Sequence, residues 1–534
     1  MLGRKKQQLT FTDINILQTW EQKPLVPEDS FYYGLSQADD IFQDELFADC
    51  YASCGRPSIP PSRLVKVILL QFHDRVSDRE AEQRALYDLR WKVALNLSLG
   101  EAGFDHTDLS RFRARLLLNK KERTIFEKIL KAAEAKGLLP AKCVQQIMDS
   151  TYVLGAGAVQ DTYTLIRLAI RKLLSALIKR PDFPELRLNL NYQGKGKPKI
   201  NWEDPAERER LLNQLYQDAL TIISATEGME LSCKERELKD LLLTVATQDI
   251  EQKEDDSVTI KRGVAKDRVI STTDPEMRHG RKSHSRLFDG YKSHTAMDKE
   301  SEFITAVTVT PGNIHDSEAT FALVDQQPEE RRPEEAIFDT AYGTGRVREE
   351  MATRQIKVIS PVPEGIGKDG CFPKSAFEID LDRQICRCPA GQIAPEKIYD
   401  KKTGRLKVFL FSPEQCQNCP LLNQCTRNKK GRRTVTVNTY ERYLQEGRVF
   451  QKTEEFAGKY PERCKIERKQ AEMVMHGLRK ARYVGLAKVT LQALLVATVV
   501  NFKRYWKLLN QKVTAAVPHN DIAINGTTPV LASG

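Results

Sequence analysis

Three acidic residues in separate parts of the chain carry most of the chemistry this sequence can offer. Asp149 follows the apolar run 144–148 and precedes Ser150 and Thr151. Asp339 follows Ala336-Ile-Phe and precedes Thr-Ala-Tyr342-Gly343. Glu467 lies in Tyr460-Pro-Glu-Arg463-Cys-Lys-Ile-Glu467-Arg-Lys469. The first two read as carboxylates at the C-terminal ends of buried strands, the third as a carboxylate on a helix. Hard divalent cations need clustered oxygen ligands on rigid elements. Two such ions about 3.5–4 Å apart serve phosphoryl transfer: one activates the attacking water or 3′-hydroxyl, the other steadies the leaving oxygen. A single Asp at a strand end more often caps a turn. It is the set of three that points to metal-assisted work on nucleic acid.

Other side chains extend the pattern. Steps of three and four put Tyr460, Arg463 and Glu467 on one helical face. That grouping reads either as a phosphate contact beside the acid or as a surface ion pair worth little. Lys292 and His294 alternate along one strand and face the same side. They would hold phosphate if that side lines a groove, and bond within the sheet edge otherwise. His315 and Asp316 read as structural. Five of the eleven cysteines cluster at 386, 388, 416, 419 and 425. Cys416-Gln-Asn-Cys419 is a knuckle suited to tetrahedral zinc. The expected ligands are Cys388, Cys416, Cys419 and Cys425, with Cys386 in reserve; the bland alternative is buried free thiols.

The elements that must position these residues fit an α/β class. Residues 1–140 read as helical: an apolar run follows Pro60-Pro61, Ser77-Asp-Arg-Glu80 has the form of a capping box, and 107–116 carries Arg111, Arg113 and Arg115. That set suits a helix-turn-helix DNA module or a bundle that only packs. A strand is expected at 144–148. A helical insertion follows over 152–255, with starts at Asp161 and Asp204 and a second helix over 234–252. Strands are expected at 269–274, 290–298, 303–310, 336–339 and 356–359, with a helix at 318–324. Residues 364–435 hold the cysteines. A long helical segment is expected from Tyr460, within a last core part at 436–514, and a disordered tail at 515–534.

The 534 residues allow two to four domains, and 40% hydrophobic with 29% charged residues is an ordinary soluble composition. No apolar run follows the basic N-terminus, so no secretory signal is read. The longest strongly apolar stretch, 489–501, is too short to span a bilayer and reads as a buried helix. A cytoplasmic, nucleoid-associated protein with no membrane partner is expected. The net charge of +11 is uneven: residues 427–482 hold 16 Lys/Arg against 7 Asp/Glu. A basic surface around Glu467 attracts polyanions and releases their counterions.

The ordered set of motifs resembles the DDE transposases of bacterial insertion sequences, in the branch with a helical N-terminal domain and a cysteine-bearing insertion. The stretches that carry the likeness are Gly55-Arg-Pro57, Ser77-Asp-Arg-Glu80, Tyr87-Asp-Leu-Arg90, Phe112-Arg113, Asp149-Ser-Thr151 and Thr273-Asp-Pro275. Gly290-Tyr-Lys292, His294, Asn313, His315-Asp316, Asp339 with Ala341-Tyr342-Gly343, Arg463 with Glu467, 476–483 and Asn501-Phe-Lys-Arg504 complete them. The resemblance implies a ribonuclease H-like mixed sheet and a catalytic triad of Asp149, Asp339 and Glu467 holding Mg²⁺, with Mn²⁺ as a substitute. It implies DNA contacts from Tyr460 and Arg463, to which Lys292, His294, Arg479 and Lys480 are added as candidates. Related families often carry lysine seven residues after the glutamate. Here that position is Val474, which leaves Lys469 or Arg479 to substitute.

The implied activity is cleavage of element ends and strand transfer to target DNA. The partners are terminal inverted repeats and target DNA, bound by a homo-oligomer. The rivals are a catalytically silent DNA-binding relative acting at the same ends, and a metal-dependent nuclease without joining.

Overall fold

The computed structural model describes residue 2 and residues 26–516, apart from 195, 196, 284, 364, 366, 368, 369 and 396–404. The chain divides into two compact units, residues 1–140 with 495–534, and residues 141–494. All but the first two residues of the expected tail lie outside the described residues.

The first unit holds α1 (Phe31–Ser36), α2 (Pro61–Asp74), α3 (Asp78–Tyr87), α4 (Leu89–Ala94), α5 (His106–Leu118) and α6 (Thr124–Ala135). Pro61 opens α2 at the position where its missing N–H costs nothing. Leu64, Ile68 and Phe72 recur at helical spacing and are buried. Ser77 caps α3 through the Glu80 amide. The end of the last helix brings Phe502 edge-on to Phe31, ring centroids 5.4 Å apart. Helix α5 does not present a continuous basic face. Arg113 is buried against Asp78, and Arg115 lies over the Tyr51 ring at 4.5 Å. Only Arg111 of the three is exposed.

The second unit is built on β1 (Gln145–Leu154). Next come α7 (Thr162–Leu177), α8 (Pro205–Ala225) and α9 (Cys233–Thr247), capped by Asp161, Asp204 and Ser232. With the hairpin β2 (Ile250–Gln252) and β3 (Val258–Ile260) they enclose their own core around Leu173, Leu215 and Leu242. The helix expected to reach 252 therefore ends earlier, and its last residues pair as strand. The chain then returns as β4 (Arg278–Arg281), β5 (Leu287–Asp298), β6 (Ile304–Pro311), α10 (Ala319–Asp325), β7 (Glu335–Phe338), α11 (Gly345–Thr353) and β8 (Lys357–Ile359).

One six-stranded sheet results. Strand β5 pairs with β4 and β6 on one side and with β1 on the other, all antiparallel; β1, β7 and β8 follow in parallel. Gly290 sits at the crowded end of the β1–β5 ladder with φ 148°, and a Cβ there would stand 2.2 Å from the Val153 carbonyl oxygen. Residues 269–272 and 274 are buried but pair in no strand, so that expected strand is absent. Strand β1 runs on to Leu154 instead of ending at Asp149, because the β-forming residues Thr151, Tyr152 and Val153 keep pairing with β5.

Beyond β8, β9 (Glu378–Asp380), β10 (Ile385–Arg387) and β11 (Ile393–Pro395) form a small sheet, and β12 (Arg405–Leu410) pairs with β13 (Thr434–Asn438). Between the last two lie α12 (Pro413–Gln417) and α13 (Leu422–Cys425). Phe377, Cys386, Phe409, Phe411 and Val437 form their shared core.

Helices α14 (Glu441–Phe450) and α15 (Glu454–Lys459), a 3₁₀ turn Tyr460–Arg463, α16 (Cys464–Met473), a π turn Val474–Leu478 and α17 (Leu486–Ala516) complete the chain. The single long helix expected from Tyr460 is thus broken. Gly477 takes φ 97° and Gly485 φ 96°. Between them the backbone leaves the helix to pair with β1: Leu154 N donates to Arg479 O at 2.9 Å, and Ala481 N to Leu154 O at 2.8 Å. Helix α17 is long and apolar enough to cross a membrane, with mean hydropathy 1.3 in its most apolar window, yet 72% of that window is buried in the protein.

Candidate active site

The parallel pairing of β1 with β7 ends at Met148 opposite Phe338. The next residue on each strand is one of the acids, Asp149 and Asp339. Asp149 Oδ1 accepts from Ser150 N at 2.7 Å, and Asp339 Oδ1 accepts from Ala341 N at 2.7 Å. Each carboxylate is fixed by a backbone amide just after it, within the strand for Asp149 and in the turn after β7 for Asp339.

The third acid arrives on α16. Ile466 on this helix packs with Ile147, Ile337 and Phe456, which seats the 3₁₀ turn and the start of α16 over the strands carrying the first two acids. Arg463 then reaches both sides. It donates from Nη1 to Asp149 Oδ2 at 3.0 Å and from Nη2 to Glu467 Oε1 at 2.6 Å. Tyr460 stacks on Phe456, ring centroids 5.1 Å apart, and its hydroxyl is raised by burial while Arg463 opposes the rise. The structure therefore brings together Asp149, Asp339, Glu467, Arg463 and Tyr460.

Electrostatics mark the place. Burial, reinforced by the neighbouring Asp339, pushes the Asp149 carboxyl up to about 6, although the Ser150 amide, Arg463 and Lys282 pull the other way. Burial opposes the charge on Arg463, but Asp149 and Glu467 outweigh it and leave the guanidinium held more firmly charged. An acid still raised despite two nearby cations marks a site that can accept more positive charge. Lys282 escaped the sequence reading. Its signal is the basic run Arg281-Lys282 and Arg286 in the β4–β5 connection.

Other expected contacts are engaged within the protein. His294 is fully buried: Nδ1 meets Tyr342 Oη at 2.7 Å and Nε2 meets Thr310 Oγ1 at 2.9 Å. Burial lowers its imidazole to about 4. Lys292 pairs with Asp316 at 2.7 Å, and Asp316 also accepts from Ser150 Oγ at 2.9 Å. Lys292 and His294 do share a face, as alternation requires, and there they are bonded to the 314–316 turn and to Tyr342 and Thr310. Arg479 lies 3.7 Å from the Tyr152 ring centroid and donates to Tyr152 O, so it braces β1. Lys480 is exposed on the irregular segment after the π turn. Lys469 is buried beside Glu302 and Glu472.

Among the described residues, the group of three ligand-bearing side chains whose ligand atoms all lie within 4.8 Å of one another is Glu82, Asp105 and His106. Those contacts start a helix: Asp105 caps α5, and Glu82 accepts from His106 Nδ1 at 2.8 Å. The acids around Arg463 are more open, since a guanidinium stands between two of them. The cysteines at 388, 416, 419 and 425 line one cavity in the module of β9–β13.

Residues 387–506 match the family model described as a transposase DDE domain, and residues 20–115 match one described as a transposase domain, DUF772. No curated protein matches the chain, and no solved structure does.

Proposed function

Since the chain belongs to the DDE transposases of insertion sequences, we propose that it cuts the ends of its element and joins the freed 3′-ends to target DNA at Asp149, Asp339 and Glu467. One observation carries this reading: a single guanidinium, Arg463, is bonded to Asp149 and to Glu467, while Asp339 ends the strand beside Asp149.

The donor set suits a hard divalent cation, Mg²⁺ with Mn²⁺ as a substitute. It consists of carboxylate oxygens on rigid elements, two of them crowded enough to raise the Asp149 carboxyl. Such an ion supplies charge neutralisation and an activated oxygen nucleophile. The chain's own residues supply position. Asp149 and Asp339 present oxygens from neighbouring strands, and Glu467 faces them from α16. Arg463 has five donors in a rigid fork, enough to keep an acid and take a DNA phosphate. Tyr460 is steadied for the same approach by its stack on Phe456.

The mixed sheet, in which antiparallel strands lead into parallel β7 and β8, supports a ribonuclease H-like core made of residues 141–360 and 436–514. Residues 364–435 are then an insertion between the second and third acids. The excess of basic residues at 427–482 supports DNA as substrate. The helical N-terminal region is assigned to recognition of the ends. Two ends must be held together, which asks for a homo-oligomer.

The test is a plasmid carrying the element's own ends, incubated with Mg²⁺ and either the wild type or Asp149→Ala. Cleavage and strand-transfer products are expected from the wild type and background from the variant. Equal cleavage by both rejects the assignment of Asp149. Cleavage without joined products leaves a nuclease, and binding without cleavage leaves a silent relative.

A further inference from the structure

The cysteine module has no part in the chemistry proposed above, yet its thiols are not scattered. Cys416 and Cys419 sit on one tight turn, where Cys419 N donates to Cys416 O at 3.1 Å. Cys388 heads a second turn, closed by Gly391 N to Cys388 O at 2.8 Å and Cys388 N to Gln392 O at 2.9 Å. Cys425 ends α13. All four line a single cavity of about 20 Å³, room for one ion or one water. Two tight turns bearing facing thiols are what a tetrahedral metal with soft ligands uses, and a closed four-sulfur set is a structural site with no open position for substrate.

A second, independent observation concerns Arg433, which lines the same cavity. Its Nη1 donates to Cys425 O at 2.6 Å and its Nη2 to Phe372 O at 2.9 Å. Its Nε is buried with no hydrogen-bond partner. An orphaned, charged donor is costly beside neutral thiols and well placed beside thiolates, whose sulfur accepts it. Four thiolates around a divalent ion carry two net negative charges, and the guanidinium offsets one. Cys386 is different. It is wholly buried in the apolar core with Phe377, Phe409 and Val437 and does not line the cavity.

We propose that Cys388, Cys416, Cys419 and Cys425 bind one structural Zn²⁺, with Arg433 as the outer partner of the thiolates and Cys386 outside the site. The module has a modest core, so the ion ties α12, α13 and the turn after β10 to one another. The four sulfurs share the cavity, but no three of them lie within 4.8 Å of one another, so binding must draw them inward. This proposal does not depend on the carboxylates.

The test is metal analysis of the full-length chain, purified without chelator after exposure to Zn²⁺. About one zinc per chain is expected in the wild type, in Asp149→Ala and in Cys386→Ser, with a fall to background in Cys416→Ser/Cys419→Ser. Cobalt exchanged into the wild type is expected to give a strong thiolate charge-transfer band, a readout that survives even if the double variant fails to fold. A wild type without zinc, iron in its place, zinc retained by the double variant, or cobalt without that band overturns the proposal.

Discussion

Arg463 and Asp149 are 314 residues apart in the chain, yet their side chains meet at 3.0 Å. The same guanidinium holds Glu467 at 2.6 Å, so the acids are arranged around a cation that the protein itself supplies. On the proposed function, a bound metal would compete with the arginine for the same oxygens.

This competition gives the first prediction. Arg463→Ala leaves Asp149 without its cationic partner, and the metal-free protein is expected to lose about 1–2 kcal/mol of stability. The thermal shift on adding Mg²⁺ is expected to be larger in the variant than in the wild type. Melting curves with and without Mg²⁺ check it; identical Mg²⁺ shifts would rule out the competition.

The Asp149 carboxyl, held up to about 6 by burial and Asp339, sets a pH dependence. Below that value it is protonated and cannot serve as an anionic ligand. Mg²⁺ affinity and cleavage are expected to weaken by roughly tenfold per pH unit below it. Calorimetric titration with Mg²⁺ across this range provides the check.

Stability of the metal-free protein runs the other way. A carboxyl raised in the folded state favours folding while protonated, below the ordinary carboxylate range, and that contribution is lost as pH rises through about 6. Asp149→Asn removes the ionisation. It is expected to be about 1–2 kcal/mol more stable than wild type at neutral pH and no more stable at pH about 4, as read by denaturant unfolding.

The buried pair behind the acids makes a fourth point. Tyr342→Phe leaves His294 Nδ1 without its partner inside the sheet face, at an expected cost of about 1–2 kcal/mol. Cleavage at a temperature where the variant stays folded is expected to persist, because the hydroxyl that is removed bonds to His294, whereas the contact to Asp339 Oδ1 at 3.3 Å comes from the backbone N–H that phenylalanine keeps. Loss of all cleavage by a folded Tyr342→Phe protein would move this tyrosine into the reaction.

Two glycines separate conformational strain from collision. At Gly477, with φ 97° and open space around a new Cβ, alanine is expected to cost about 1 kcal/mol. At Gly290 a Cβ would strike the Val153 and Leu154 backbone, so alanine there is expected to prevent folding of the sheet edge. Soluble yield and melting temperature of the two variants distinguish the cases.

Local signals in the sequence were legible where a single residue settles the structure. Ser77, Asp161 and Asp204 each cap the helix expected of them. The alternation 290–298 and 303–310 appears as the β5–β6 hairpin. What stayed hidden depends on distant partners. Asp149 lies inside β1 because β5 continues alongside, and 269–274 has strand composition but finds no neighbour to pair with. The helical pattern after Tyr460 conceals the excursion at 479–481, which exists because β1 offers an open backbone edge there. His294 could be placed on a face, but not on which side of the protein that face lies. Arg463 could be set beside Glu467 by spacing, whereas its bond to Asp149 required the fold.

The broken helix after Arg463 has an implication for biosynthesis. Arginine and third acid both come from late in the chain, after the cysteine module. A polypeptide that stops short of residue 463 would carry Asp149 and Asp339 with neither Arg463 nor Glu467 beside them, so the three-acid arrangement comes into being only after the cysteine module has been synthesised.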